Sequence, residues 1–219
     1  RGEAPIYTGT CSALAKKEEE EKMKEGMPSV IRFRIEKKPV SFTDLVRGDI
    51  SFDMALSGDI VIAKDLATPL YNFAVVIDDH DMNITHVIRG EDHIANTPKQ
   101  MLLQKALGFT TPQYAHLPLI LAPDRSKLSK RHGDNSVTRF LKEGYLPSSI
   151  VTFLALLGWN PGDEKEIFTL KELEQTFSLN QIHKGGAVFN TDKLDWINAH
   201  YIKELPVNEL TALRIPYIE

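Results

Sequence analysis

A single cysteine, Cys11, stands among 219 residues. That scarcity excludes an intrachain disulfide and any Cys-x-x-Cys metal knuckle built from these residues, and it fits a reducing compartment. Long apolar runs are missing as well. No stretch approaches the roughly 18 consecutive apolar residues of a membrane helix, and Arg1-Gly2-Glu3-Ala4-Pro5 has no apolar signal-peptide core. The chain therefore reads as cytoplasmic, with no membrane partner. Nor is positive charge in surplus: a formal net charge of −4 argues against a uniformly basic, histone-like binder but leaves room for a local basic face. The first residue is not Met, and Ile215-Pro216-Tyr217-Ile218-Glu219 stops without a helix cap or polar tail, so both ends read as cut.

What is present is ordinary globular material, 42% hydrophobic and 26% charged, enough for more than one modest core. Ser12 can cap a helix over 13–25, supported by Glu18/Lys22 and Glu20/Lys24 at i,i+4. Its thin apolar face, mostly Leu14 and Met23, reads as that of a solvated helix at a domain edge. From Val30 to Ile35 apolar residues alternate at period two, which predicts a half-buried strand, and shorter strands are expected over 49–52 and 59–63. The continuous apolar run Tyr71 to Ile77 predicts a strand buried on both faces, with Asp78-Asp79-His80-Asp81 as the loop at its carboxyl end. A second strand over 84–88 runs into Arg89-Gly90-Glu91-Asp92-His93. A helix then follows with Thr97 as cap and Pro98 in its first position, and a third strand covers 116–121. Strand, helix, strand in that order predicts an α/β unit whose ligands bind beyond the carboxyl ends of the strands. After Arg131 four helices are expected, over 136–142, 147–157, 169–177 and 191–202, the third opened by a Thr169/Glu172 capping box.

The sharpest chemical feature is the loop Asp124-Arg125-Ser126-Lys127-Leu128-Ser129-Lys130-Arg131-His132-Gly133, placed directly after a predicted strand. Ammonium groups and a serine hydroxyl at a strand end suit a polyphosphate, although a run of Lys and Arg is by itself ordinary solvated surface. Arg89, at the carboxyl end of its own strand, is of the residue type that grips a carboxylate with two parallel hydrogen bonds; the alternative is a structural ion pair with Glu91 or Asp92. Asp78, Asp79, His80, Asp81, His86, Glu91, Asp92, His93 and His116 are rich in metal-ligand types, but no His-x-x-x-His spacing occurs among them. No tightly bound metal is expected.

Lys127-Leu128-Ser129-Lys130-Arg131 resembles the Lys-Met-Ser-Lys-Ser signature of class I aminoacyl-tRNA synthetases. The segments Tyr71 to His80, Val87 to His93, Leu156-Leu157-Gly158-Trp159 and Phe189 to Leu194 resemble the bacterial-type glutamyl-tRNA synthetases, so the likeness covers nearly the whole chain. The resemblance implies a ligase that activates L-glutamate with ATP, taken as its magnesium complex, and passes the glutamyl group to the 3′ end of tRNA(Glu), as a monomer. It implies an α/β fold: the second half of a Rossmann-like catalytic domain over 71–131, an α+β acceptor-binding insertion over 1–70, and an all-helical stem-contact domain over 132–219. In the site, it gives the phosphates of ATP to Lys130, with Lys127 and Ser129 as partners and Leu128 and Arg131 completing the loop. Arg89 and Tyr71 contact the amino acid, and Gly90, Glu91, Asp92 and His93 line its pocket.

Departures from the family pattern set limits. No His-Ile-Gly-His type tetrad occurs in the chain, so half of the expected site is missing and these residues alone are expected to be inactive. The helical anticodon-binding region is absent too, which leaves the acceptor arm as the tRNA contact. Tyr7 and Cys11 match the last two positions of a zinc motif whose preceding Cys-x-Cys has no counterpart here. Two rivals remain at this point: a paralogue that glutamylates a queuosine base, and a non-catalytic tRNA-binding module.

Overall fold

The computed structural model describes residues 7–129 and 136–214. Its residues gather into two compact units divided after His116.

In the first unit, α1 (Lys16–Lys24) follows a single 3-10 turn at Thr10–Ala13 and buries nothing, as its charge pattern predicts. The alternation after Val30 yields β1 (Ile31–Phe33). A hairpin follows, of β2 (Pro39–Asp44) and β3 (Gly48–Asp53), antiparallel with Asp44 opposite Gly48. β4 (Ile60–Ala63) returns to pair with β1. The sequence reading missed β2, although Val40, Phe42 and Asp44 alternate inward along it, and Pro39 sits at its first residue, where a lost N–H does no harm.

The run Tyr71 to Ile77 is a helix rather than a strand. α2 spans Tyr71–Asp81, and Asp78 to Asp81 form its last turn rather than a loop. An uninterrupted apolar run carries no period of its own, so its length decides, and eleven residues with only Val76 fully buried suit a helix lying on a sheet. The strands of this region are the half-buried edge strand β5 (His86–Gly90) and the buried β6 (Gln113–Leu117), with α3 (Thr97–Leu107) between them in sequence. The four strands lie in the order β3-β2-β6-β5, with β2 and β6 parallel through Asp44 and Tyr114. Gln100 of α3 donates to Asn72 of α2 at 2.9 Å, tying the two helices.

The second unit begins with β7 (Ile120–Leu121) and continues as α4 (Val137–Lys142), α5 (Pro147–Leu156), α6 (Leu170–Thr176), β8 (Ala187–Val188), α7 (Thr191–Glu204) and α8 (Val207–Arg214). The four expected helices are present within two residues at their ends; α8 was not anticipated. Leu194 and Ile197 of α7, three residues apart on one helix face, pack with Phe140, Ile150, Phe153 and Leu157 into the main core. Trp159, Phe168 and Leu173 form a second cluster. The Thr169/Glu172 capping box forms as expected, and Lys165 on the Glu172 carboxylate, with the Thr169 donors, holds its pKa down to about 2.

Polar ties fix how α5 meets α7. Leu146 has no side-chain cap to offer α5, and Asn198 of α7 takes its place, accepting from the Leu146 N–H at 2.9 Å and the Ser149 hydroxyl at 2.8 Å. Among the described residues no helix is long and apolar enough to cross a membrane. Replacing the fully buried Ile197 with alanine in the full-length protein should cost about 2–5 kcal/mol of unfolding free energy, read as a lower midpoint in denaturant.

Candidate functional site

Arg89 is the next-to-last residue of β5, and strand alternation turns its side chain inward, in register with Val87. Its guanidinium meets three acceptors. Nε donates to His116 Nε2 at 3.1 Å, and Nη2 donates to Thr97 Oγ1 at 2.8 Å and to the His93 carbonyl at 3.4 Å. The Tyr114 ring lies 5.5 Å from the guanidinium carbon. The expected cap Thr97 is therefore used otherwise: Asn96 is the cap residue of α3, while Thr97 is wholly buried beneath Arg89.

Behind Arg89 the network continues into the sheet. His116 Nδ1 is 2.6 Å from Asp44 Oδ2, and both residues are shut off from solvent. Asp44 also accepts from the backbone N–H groups of Val46, Arg47 and His116. Burial alone would push the Asp44 carboxyl up, but these donors hold it below the ordinary carboxylate range. For His116 burial dominates and lowers the pKa against the pull of Asp44, with Arg89 and His93 pushing the same way. Asp79, on α2, is raised by burial despite Arg89.

The residues after Arg89 fold tightly around it. Gly90 leaves room for Asp92, whose Oδ1 would stand 2.6 Å from a Cβ at that position. Glu91 pairs with Arg47 at 2.5 Å. Among the described residues no carboxylate reaches Arg89 at ion-pair distance, so the structural ion pair weighed for it does not form. Tyr71, half exposed at the first turn of α2, sets its ring edge-on to His93 at 5.6 Å, with its hydroxyl 3.5 Å from Nδ1. The structure thus gathers Tyr71, Arg89, Gly90, Glu91 and His93 at one end of the sheet. Sequence reading missed Asp44, Arg47 and Tyr114, and grouped His116 with metal-ligand types. Among the described residues no three His, Cys, Asp or Glu side chains come together as metal ligands.

The basic loop belongs to the second unit. After β7 the chain turns through Ala122 to Ser126, with Asp124 accepting from the Ser126 N–H and hydroxyl, and comes back antiparallel so that Lys127 bridges Leu121 and the Leu128 N–H reaches Ile120. Lys127, Leu128 and Ser129 thus leave a hairpin rather than an open loop. Lys130 and Arg131 lie outside the described residues. The hairpin rests on β8, parallel to β7, with Ile120 opposite Ala187 and Leu121 opposite Val188. A Cβ on Gly186 would stand 2.7 Å from Leu121 Cδ1 and 3.2 Å from the Leu119 carbonyl, so glycine is needed for β8 to approach.

Residues 2–196 match the family model described as tRNA synthetases class I (E and Q), catalytic domain. The chain belongs to this family. The chain is 49% identical over 220 residues to the glutamate–tRNA ligase of Desulforamulus reducens, covering all of this chain and 46% of that protein. It is 50% identical to the glutamate–tRNA ligase of Heliobacterium modesticaldum, covering 44% of it. Among solved structures, the glutamate tRNA ligase of Elizabethkingia meningosepticum in complex with its amino acid superposes with a TM-score of 0.83 at 35% identity, covering 92% of this chain and 45% of that one. The glutamate–tRNA synthetase of Elizabethkingia anophelis gives 0.84 at 36% identity, covering 94% and 46%. The chain spans less than half the length of these relatives.

Replacing Gly186 with valine should push β8 off Leu121 and cost about 1–3 kcal/mol of stability. The loss should be read as a lower midpoint in denaturant, because the strain falls where β8 meets Leu121.

Proposed function

We propose that the chain supplies the amino acid grip and the phosphate loop of a glutamate–tRNA ligase that works as a monomer in the cytoplasm. The observation that carries this reading is Arg89: a half-buried guanidinium held by neutral acceptors, its charge matched by no carboxylate at ion-pair distance among the described residues. Such a group suits the carboxylate of an acidic amino acid arriving from solution, with Tyr71 at its side and Gly90, Glu91, Asp92 and His93 as the pocket wall. The family likeness, with half the residues identical to named glutamate–tRNA ligases, points to the same substrate.

In the reaction an α-carboxylate oxygen of glutamate attacks the α-phosphorus of ATP. One O–P bond forms, the bond to the β-phosphate bridge breaks, and pyrophosphate leaves with its magnesium. A ribose hydroxyl of the terminal tRNA adenosine then attacks the acyl carbon, passes on its proton, and AMP departs. No protein nucleophile takes part, so the work of these residues is positioning and charge neutralisation. Lys130 is assigned to the phosphates and Lys127 and Ser129 to the same loop, flanked by Leu128 and Arg131.

By function we divide the chain into an acceptor-end module over 1–70, a half of the Rossmann-like catalytic domain over 71–131, and a helical stem-contact region over 132–219, meeting the acceptor arm of tRNA(Glu). The sequence carries no His-Ile-Gly-His tetrad, and the 219 residues alone should not exchange pyrophosphate into ATP when given glutamate. Exchange by the purified chain would contradict that expectation. In the full-length protein, Arg89→Leu should raise the KM for glutamate by about 10- to 100-fold with the KM for ATP little changed, the loss expected for one charge-assisted hydrogen-bond pair. A variant with an unaltered glutamate KM would remove Arg89 from the amino acid site.

A further inference from the structure

An arginine offers a carboxylate a planar fork only if something fixes the plane. On Arg89 one edge, Nε with Nη2, is taken up by His116 Nε2 and Thr97 Oγ1, which themselves lie 3.2 Å apart. Nη1 makes no hydrogen bond among the described residues, so the edge that includes it faces away from these two acceptors, with the second Nη2 N–H on that edge held only by the long 3.4 Å contact to the His93 carbonyl. The orientation of the free edge is thus dictated by the occupied one. His116 has no solvent exposure and sits too deep to touch a substrate.

We propose that His116, locked by Asp44, is the positioning residue that aims Arg89 at the amino acid carboxylate. The inference rests on the reading of Arg89 as the amino acid contact.

The chemistry of the imidazole supports it. Nε2 can accept from Arg89 only when it carries no proton, so the ring proton is on Nδ1 and is donated to Asp44 Oδ2 at 2.6 Å. Asp44 cannot rotate away, because three backbone N–H groups hold its oxygens. A flipped tautomer or a protonated ring would set an N–H against the Arg89 N–H and break the contact. The charged and titratable groups facing the ring all belong to this cage: Asp44 and Arg47 from the β2–β3 hairpin, Arg89 from β5, His93 from the turn after it, and Tyr114 stacked at 6.2 Å. Arg47 in turn donates from Nε to the His116 carbonyl at 3.3 Å, holding the backbone as well.

The test is a pair of variants in the full-length protein. His116→Asn can keep a donor toward Asp44 but has no atom at the Nε2 position; His116→Gln can place its amide oxygen there. We expect His116→Asn to raise the KM for glutamate by roughly 10- to 100-fold, the scale of a misplaced binding group, with the KM for ATP and the melting temperature near wild type. His116→Gln should recover most of the loss. Equal damage by both variants, spread over both substrates and tracking the melting temperature, would show a purely structural residue and overturn the proposal; so would His116→Asn with a normal glutamate KM. If Arg89→Leu also leaves the glutamate KM unmoved, the reading of Arg89 fails; if Arg89→Leu raises it and His116→Asn does not, this inference alone fails. Should the asparagine variant not fold, nitrogen NMR of the wild-type His116 ring decides: an unprotonated Nε2 whose signal shifts on adding glutamate supports the proposal, and a protonated Nε2 or an unresponsive signal overturns it.

Discussion

A carboxylate with nowhere to go but inward governs the first unit. Asp44 closes β2 at the sheet centre, where an unpartnered charge would be costly, and three backbone N–H groups and an imidazole meet it there. That solution ties the β2–β3 turn to β6, since the same side chain caps the turn and holds His116. It also decides what β5 can carry. Burial lowers the His116 pKa, which favours a lone pair on its outer nitrogen, and Arg89 is the neighbour placed to use it. The sheet order β3-β2-β6-β5 is thus matched by a polar thread running across three of its strands.

The second unit solves a different problem. Of α4 to α7, α5 alone begins without a side-chain cap of its own, and side chains from α7 tie it to its neighbours. Asn198 closes the start of α5, and the Tyr201 hydroxyl meets Thr152 of α5 at 2.7 Å and the backbone of Phe168 before α6. Tyr145 donates to Asp195, and burial together with that carboxylate pushes its pKa up to about 12. One helix therefore organises the bundle, and Gly186 just ahead of it lets the signature hairpin settle against β8.

Much of this was legible in the sequence, and the failures have physical causes. The Thr169/Glu172 box is a local signal, and α6 stands where it puts it, while the helices expected over 136–142 and 147–157 stand within one residue of those bounds. The run from Tyr71 to Ile77 misled because a helix resting on a sheet and a strand inside one both show unbroken apolar sequence. Arg89 and the lysine-rich signature stood out through residue type and their place after strands, reinforced by the family likeness. Asp44, Arg47 and Tyr114 did not, because their meaning comes from partners that are dozens of residues away along the chain. A buried aspartate in a short hairpin reads as an ordinary turn residue until His116 is seen above it.

The distance along the chain between those partners has its own consequence. Asp44 and His116 are 72 residues apart, and Arg89 precedes His116 by 27. During synthesis Asp44 and Arg89 are both made before the imidazole that joins them exists. The hairpin, α2 and α3 can form early from neighbouring residues, but the parallel pairing of β2 with β6 must await the last strand. A nascent chain halted anywhere short of residue 116 holds Asp44 and Arg89 without their shared imidazole, and the network closes in one step, with the last strand of its sheet to be made.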